Sequence, residues 1–290
     1  MELVHKCSIP LYWRALIGIG DEVLFEDKND STIRQEIIPP YGMNVINGIS
    51  LSAYHLLGYM KERNEVYGYV STTRDELSPG LATFLDGANI VVITLNKDKI
   101  SAEAMGFLPY VKEIDFNPTG VCCYLEPTAD EKLYSLYMRD LVSSERTPIK
   151  VRTKCLFRIS PDNKLVIYDS CKSSFSIMDL QSLKITGTFS INFMETLNTY
   201  EMIQWYKGNI VYSWFAGIDL KIQGMRSSEV VHLNTKTKEK RVLRSVKFPQ
   251  VIEGFTFAGK EDELLVLVIN TYDVHKCINS EIEIYDSLDI

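Results

Sequence analysis

The apolar residues of this chain never run long, and this narrows the fold more than any motif does. They come in bursts bounded by Gly, Pro, Asn or Asp. Residues 16–25 hold Ile17, Ile19, Val23, Leu24 and Phe25 around Gly20-Asp21. Residues 89–95 are almost all β-branched, 165–168 follow Ser160-Pro161-Asp162-Asn163, 210–214 follow Lys207-Gly208-Asn209, and 264–269 follow Gly259-Lys260-Glu261-Asp262. Runs of about four to eight such residues between turn formers predict β-strands. Their continuous rather than alternating character predicts burial on both faces. The longest clean run, 264–269, is far short of the ~20 apolar residues of a membrane-spanning helix, so a soluble chain without a transmembrane segment is expected.

The bursts repeat a rhythm: a strand, a polar turn, then a second strand ending in Asp or Asn. Such second strands end at Asn96, Asp140, Asp179, Asn234 and Asp286, which lie 44, 39, 55 and 52 residues apart. Each unit has room for about four strands, a period that points to propeller blades. Two earlier units, near 16–37 and 46–73, follow the rhythm less closely.

The stretch from Phe157-Arg158-Ile159 through Ser160-Pro161-Asp162-Asn163 to Lys164-Leu165-Val166-Ile167-Tyr168, then Ser176-Ile177-Met178-Asp179-Leu180, resembles a degenerate WD-type repeat. Phe116-Asn117-Pro118-Thr119-Gly120 looks like another copy of its turn, and Ile284-Tyr285-Asp286 resembles the Trp-Asp end with Tyr for Trp. The chain has no Gly-His and no Trp-Asp dipeptide. The resemblance implies an all-β β-propeller. Seven blades are expected, since 290 residues divided by seven is about 41; a six-bladed TolB-like or NHL-like propeller is the alternative. Propellers of this kind join their first and last blades, often by an N-terminal strand, and residues 2–8 are the candidate.

Two stretches read as short inserted helices. Thr128-Ala129-Asp130-Glu131 is a capping-box pattern before Leu133, Leu136, Tyr137 and Leu141. Ser50 is an N-cap candidate before Leu51, Tyr54, His55 and Leu56-Leu57, with Gly58 as the stop. Pro39-Pro40-Tyr41-Gly42 leaves too little chain before it to fold alone, so residues 1–290 are read as a single propeller domain.

The chemistry of catalysis is sparse. There is no G-x-S-x-G elbow, H-E-x-x-H pair, calcium loop or Walker lysine. Gly18-Ile19-Gly20 begins like a dinucleotide fingerprint but lacks the rest, and Gly20-Asp21 reads as a hairpin turn. Of the four histidines, His5, His55, His232 and His275, His232 lies within a strand and reads as structural. His275 and Cys277 are two apart, only half of a metal-ligand set. The six cysteines form no C-x-x-C pair, and Cys122-Cys123 are neighbours that a strand would send to opposite faces. They read as reduced, buried thiols. No catalytic, cofactor-binding or metal-binding residue is nominated, and no cofactor is expected. Trp205-Tyr206 and Trp214-Phe215 read as core before surface.

A formal charge of -7 demotes nucleic acid as the main partner. One cluster runs the other way: Lys236, Lys238, Lys240, Arg241, Arg244 and Lys247, with only Glu239 opposing, in a segment read as an inter-strand loop. It is the candidate contact for a partner. The expected role is a non-catalytic protein–protein interaction scaffold, one subunit of a larger assembly. The alternatives are a nucleoprotein- or ribosome-associated factor docking on RNA or another anionic surface through 236–247, and a metal-dependent hydrolase or lactonase-type propeller enzyme. The opening MELVHKCSIP lacks the features of a signal peptide, so a cytoplasmic location is expected, with the nucleus second and secretion third.

Overall fold

In a computed structural model of the chain, the described residues are 1–11, 14–26, 32–38, 42–45, 55–60, 65–72, 87–95, 100–109, 111, 114–117, 120–127, 134–141, 143–152, 155–169, 172–191, 195–197, 203–216, 218–219, 224–225, 227–273 and 276–286. All regular structure among them is β. After β1 (Glu2–Ile9), the chain builds one antiparallel meander after another. The first is β2 (Arg14–Ile19), β3 (Glu22–Glu26), β4 (Thr32–Ile38) and β5 (Gly42–Val45). The second is β6 (His55–Met60), β7 (Glu65–Thr72), β8 (Gly87–Leu95) and β9 (Ile100–Pro109). The third is β10 (Ile114–Phe116), β11 (Val121–Pro127), β12 (Tyr134–Asp140) and β13 (Arg146–Arg152), and the fourth is β14 (Cys155–Ile159), β15 (Lys164–Asp169), β16 (Ser174–Asp179) and β17 (Lys184–Ser190). In the next sheet β18 (Glu195–Leu197) and β19 (Ile203–Tyr206) both pair with β20 (Asn209–Ala216). A separate pair, β21 (Ile218–Asp219) and β22 (Gly224–Met225), precedes β23 (Ser227–Leu233) and β24 (Lys240–Lys247). The last sheet takes β25 (Gln250–Ala258), β26 (Leu264–Asp273) and β27 (Lys276–Asp286), and its fourth strand is β1, antiparallel to β27 from Glu2↔Asp286 to Ile9↔Ser280.

This is the β-propeller architecture, reached by the rhythm that the sequence predicts, and the N-terminal strand does complete the last sheet. The expected blade number is corrected. The described residues hold five regular four-stranded blades, besides one five-stranded sheet and the two-stranded pair, and neither seven nor six such blades. Dividing the length by a uniform repeat fails because the repeats are unequal. The stretch between Asp179 and Asn234 also carries a split inner strand and the β21–β22 pair.

Both expected helices are corrected as well. Leu136 and Tyr137 lie in β12, and His55, Leu56, Leu57 and Gly58 lie in β6; the capping box at 128–131 and Leu133 of the first candidate, and Ser50 to Tyr54 of the second, fall outside the described residues. Gly58 ends nothing: a Cβ there would overlap the Tyr67 ring, which sits edge-on to Phe116 at 4.7 Å. Packing against sheet neighbours overrides local helical spacing.

The chain gathers into two compact units, Met1–Ser52 with Asn192–Ile290, and Ala53–Ile191. In the first, β26 shows why its run is continuously apolar. Leu265, Leu267 and Ile269 pack with Phe255, Phe257, Val230 and Tyr206, while Leu264, Val266 and Val268 pack with Val23, Phe25, Ile282 and Ile284. Alternate residues fill opposite faces, each burial contributing about 2 kcal/mol. In the second unit β11 does the same: Cys123 and Leu125 join one cluster, Cys122 and Tyr124 another. The adjacent thiols therefore point apart, as expected.

Two local devices recur. The Asp or Asn that ends the third strand of a sheet accepts a backbone N–H from three residues on, shaping the turn into the outermost strand. Ser143 N–H donates to Asp140 at 2.8 Å, Ser182 N–H to Asp179 at 2.7 Å, and Thr237 N–H to Asn234 at 2.9 Å. These hydrogen bonds from Ser182 hold the Asp179 carboxyl below its ordinary pKa. Neighbouring sheets are also joined by side chain to main chain. Asp115 accepts the Ile159 N–H at 2.7 Å, Ser228 the Ile252 N–H at 3.2 Å, and Thr256 the Gly18 N–H at 2.9 Å, each satisfying a backbone donor of the next sheet's first strand.

Candidate interaction surface

The segment 236–247 is not a loop, which corrects the sequence reading. Only 236–239 form the turn; Lys240, Arg241, Arg244 and Lys247 belong to β24, the outermost strand of its sheet. The charged segment reads as loop because an edge strand is solvated on its outer side and needs few apolar residues. The turn itself is firmly held. Asn234 Oδ1 accepts from Lys236 and Thr237, Lys238 takes φ +66°, and the Thr235 hydroxyl donates to Gly208 O at 2.9 Å.

Register divides the cations. Lys240, Val242, Ser245 and Lys247 stand opposite Leu233, Val231, Glu229 and Ser227 of β23, so they share one face. Arg241, Arg244 and Val246 stand opposite His232, Val230 and Ser228, on the other face. Leu243 is the extra residue between the Val242 and Arg244 pairs, a bulge. Lys236, Lys238, Lys240, Arg241 and Lys247 are exposed, and so is Val242, at 50%.

Arg244 has a different duty. It grips Glu283 of β27 with Nε–Oε2 at 2.8 Å and Nη2–Oε1 at 3.1 Å. Glu283, only 2% exposed, also accepts from Tyr285 OH at 2.6 Å and from Lys6 at 3.2 Å, and Lys6 reaches Glu281 at 2.6 Å. Burial pushes the Glu283 carboxyl up, but the Arg244 and Tyr285 hydrogen bonds and the Arg244 and Lys6 contacts outweigh it and hold its pKa below the ordinary value. This cluster ties β1, β27 and β24 together. Sequence reading missed it; the signal was there in Glu281 and Glu283, two acids alternating with Ile282, Ile284 and Tyr285 along one strand.

His232 is 4% exposed and held below the ordinary histidine pKa by burial and by the Arg241 charge. Its Nε2 has no hydrogen-bond partner among the described residues, a buried ring on β23. Cys277 is buried, its thiol directed to Asn279 O and Ser280; His275 lies outside the described residues, as does Cys171. Among the described residues, Cys7, Cys122, Cys123 and Cys277 form no disulfide. Tyr206 is core, stacked on Phe257 at 4.2 Å, and the half-buried Trp214 donates its indole N–H to Glu229 at 3.0 Å. Among the described residues no three His, Cys, Asp or Glu side chains stand together as a metal site, and no helix is long and apolar enough to cross a membrane.

No family model matches the chain, and no curated protein does. Solved structures do. An acylaminoacyl peptidase from Pyrococcus horikoshii aligns at TM-score 0.54 and 11% identity over 92% of this chain and 43% of its own, so this chain spans less than half of that protein. A chain of the mitotic checkpoint complex aligns at 0.53 and 7% identity over 99% and 95%, and a luciferin-regenerating enzyme at 0.51 and 12% over 98% and 96%. At such identities the likeness shows the fold alone.

Proposed function

We propose that the chain acts as one WD-like propeller domain, a protein–protein interaction scaffold within a larger assembly. The observation that carries this reading is the make-up of the outermost strands. On β1, β9, β17 and β24 large apolar side chains are exposed: Leu3 at 45%, Phe107 at 49%, Ile185 at 57% and Val242 at 50%. The pairing of each of these strands is interrupted by an extra residue, at Val4, Met105, Thr186 and Leu243 respectively. Bulges keep an edge from pairing with another edge. The side chains beside them remain available, and loops and edges on a stiff frame suit binding. That a chain of a checkpoint complex shares the fold is consistent with this role.

The test is native purification of the tagged protein at moderate salt. The expected result is a protein partner in stoichiometric amount through size exclusion, its recovery cut about tenfold by at least one of Phe107→Asp, Ile185→Asp and Val242→Asp. Elution as a lone chain from its native extract overturns the reading.

A further inference from the structure

We infer that the face of β24 carrying Lys240, Val242, Ser245 and Lys247 docks an acidic, extended segment of a partner protein, recognised through side chains and not by strand addition. The inference rests on the scaffold reading and names the partner's chemistry.

Charge sets the partner's sign. Lys240 and Lys247 lie at the two ends of this face, and Lys236 and Lys238 stand on the turn at its start, where the one acid, Glu239, accepts from the Thr237 hydroxyl at 3.1 Å. The nearest acid of the same face, Glu229, is committed to the Trp214 indole and the Ser245 hydroxyl. Arg244 is committed to Glu283 on the other face and adds nothing here. Such an edge repels its own copy, since antiparallel pairing of two β24 strands would set lysines against lysines. A second copy of this chain is thereby disfavoured, and an acidic segment favoured.

The exposed Val242 between the lysines decides for protein over RNA. RNA draws its affinity from many phosphate contacts and gains little from one aliphatic side chain. A peptide with an apolar residue between acids matches both features. From Lys240 to Lys247 a strand spans ~20 Å, the reach of about six or seven extended residues. The bulge at Leu243 sets the mode of binding: it breaks the edge mid-strand, so no continuous ladder of main-chain hydrogen bonds forms along it.

The probes are a fluorescein-labelled peptide of about ten alternating Glu and Val residues, the same peptide N-methylated at alternate residues so that it cannot pair as a strand, and a ~20-nucleotide uridine RNA. Fluorescence polarisation is read on the whole chain. Both peptides are expected to bind within about twofold of each other, with Lys240→Glu/Lys247→Glu losing at least about tenfold and Val242→Asp losing about fivefold. The peptide affinity is expected to fall as salt rises to ~300 mM. Lys184→Glu, on β17, is the control and leaves binding unchanged; unchanged unfolding midpoints show that the variants fold.

Three results overturn the inference: binding lost on N-methylation, RNA bound more tightly than peptide, or no peptide bound. If a native partner is retained by the Lys240→Glu/Lys247→Glu chain while the peptides fail, the docking face is wrong and the scaffold reading stands. If the peptides bind as expected and no native partner exists, the reverse holds.

Discussion

A carboxylate as buried as Glu283 persists because three donors converge on it. Its folded pKa lies below the ordinary glutamate value, so its contribution to stability is fully present above the ordinary range, near pH 4.3, and is lost as pH falls through the lowered folded value. Lys6 is shifted upward, chiefly by its hydrogen bond to Glu281, and Tyr285 is shifted upward by burial and then by Glu283. Their contributions are present below the ordinary Lys and Tyr ranges and are lost as pH rises beyond them. The cluster should therefore hold best between about pH 5 and pH 10. Glu283→Gln leaves Arg244 without its counter-charge and should cost roughly 2 kcal/mol, with a flatter acid limb in chemical unfolding measured against pH. Lys6→Ala, with its side chain half in water, should cost only about 0.5 kcal/mol. Gly18 belongs to the same scale. The sequence offers it as part of a glycine fingerprint, yet a Cβ there would fall onto the Phe257 carbonyl oxygen. Its glycine serves the approach of β2 to β25, a reason that no local pattern could disclose. Gly18→Ala should lower stability by about 3 kcal/mol in urea unfolding.

Elements were legible where their signal was local. The turns at Asn117–Gly120 and Ser160–Asn163 read as copies of one another, and they are: Gly120 N–H donates to Asn117 O and Asn163 N–H to Ser160 O, with φ +92° and +57° at the last position. The Asp and Asn positions that gave the rhythm are likewise local devices, each shaping the turn that follows. Asn234→Ala removes two such hydrogen bonds and should cost about 1 kcal/mol, with faster amide exchange at Lys236 and Thr237 as the specific readout. Non-local elements misread. Spacing at Leu133, Leu136, Tyr137 and Leu141 fits a helix, but Tyr124 and Leu125 lie opposite Tyr137 and Leu136 across the ladder, and that pairing decides. The candidate surface misread for the same reason. Six cations in sequence look like one patch, whereas alternation and the Leu243 bulge send Lys240 and Lys247 to one face and Arg244 to Glu283 on the other.

For the molecule as a whole, the pairing of β1 with β27 spans the greatest sequence separation in the fold, and it was legible only through the family resemblance. Its value lies in what it covers. Without β1, the outer edge of β27 is a long run of unpaired main-chain groups, and Val4, Cys7 and Ile9 no longer pack against Val266, Val268, Ile282 and Ile284. Unlike β24, that exposed edge would not be guarded by a row of lysines, and an unguarded edge of this length recruits other strands. Deleting residues 1–9 should therefore produce concentration-dependent self-association by light scattering, together with loss of amide protection across β25–β27. Retention of full protection there by a monomeric truncated chain would mean that the last sheet is held by Phe255, Leu265 and Leu267 alone. The Glu283→Gln chain should show a weaker form of the same behaviour, because Lys6 and Arg244 meet β27 at the carboxylate that the truncation leaves half-paired.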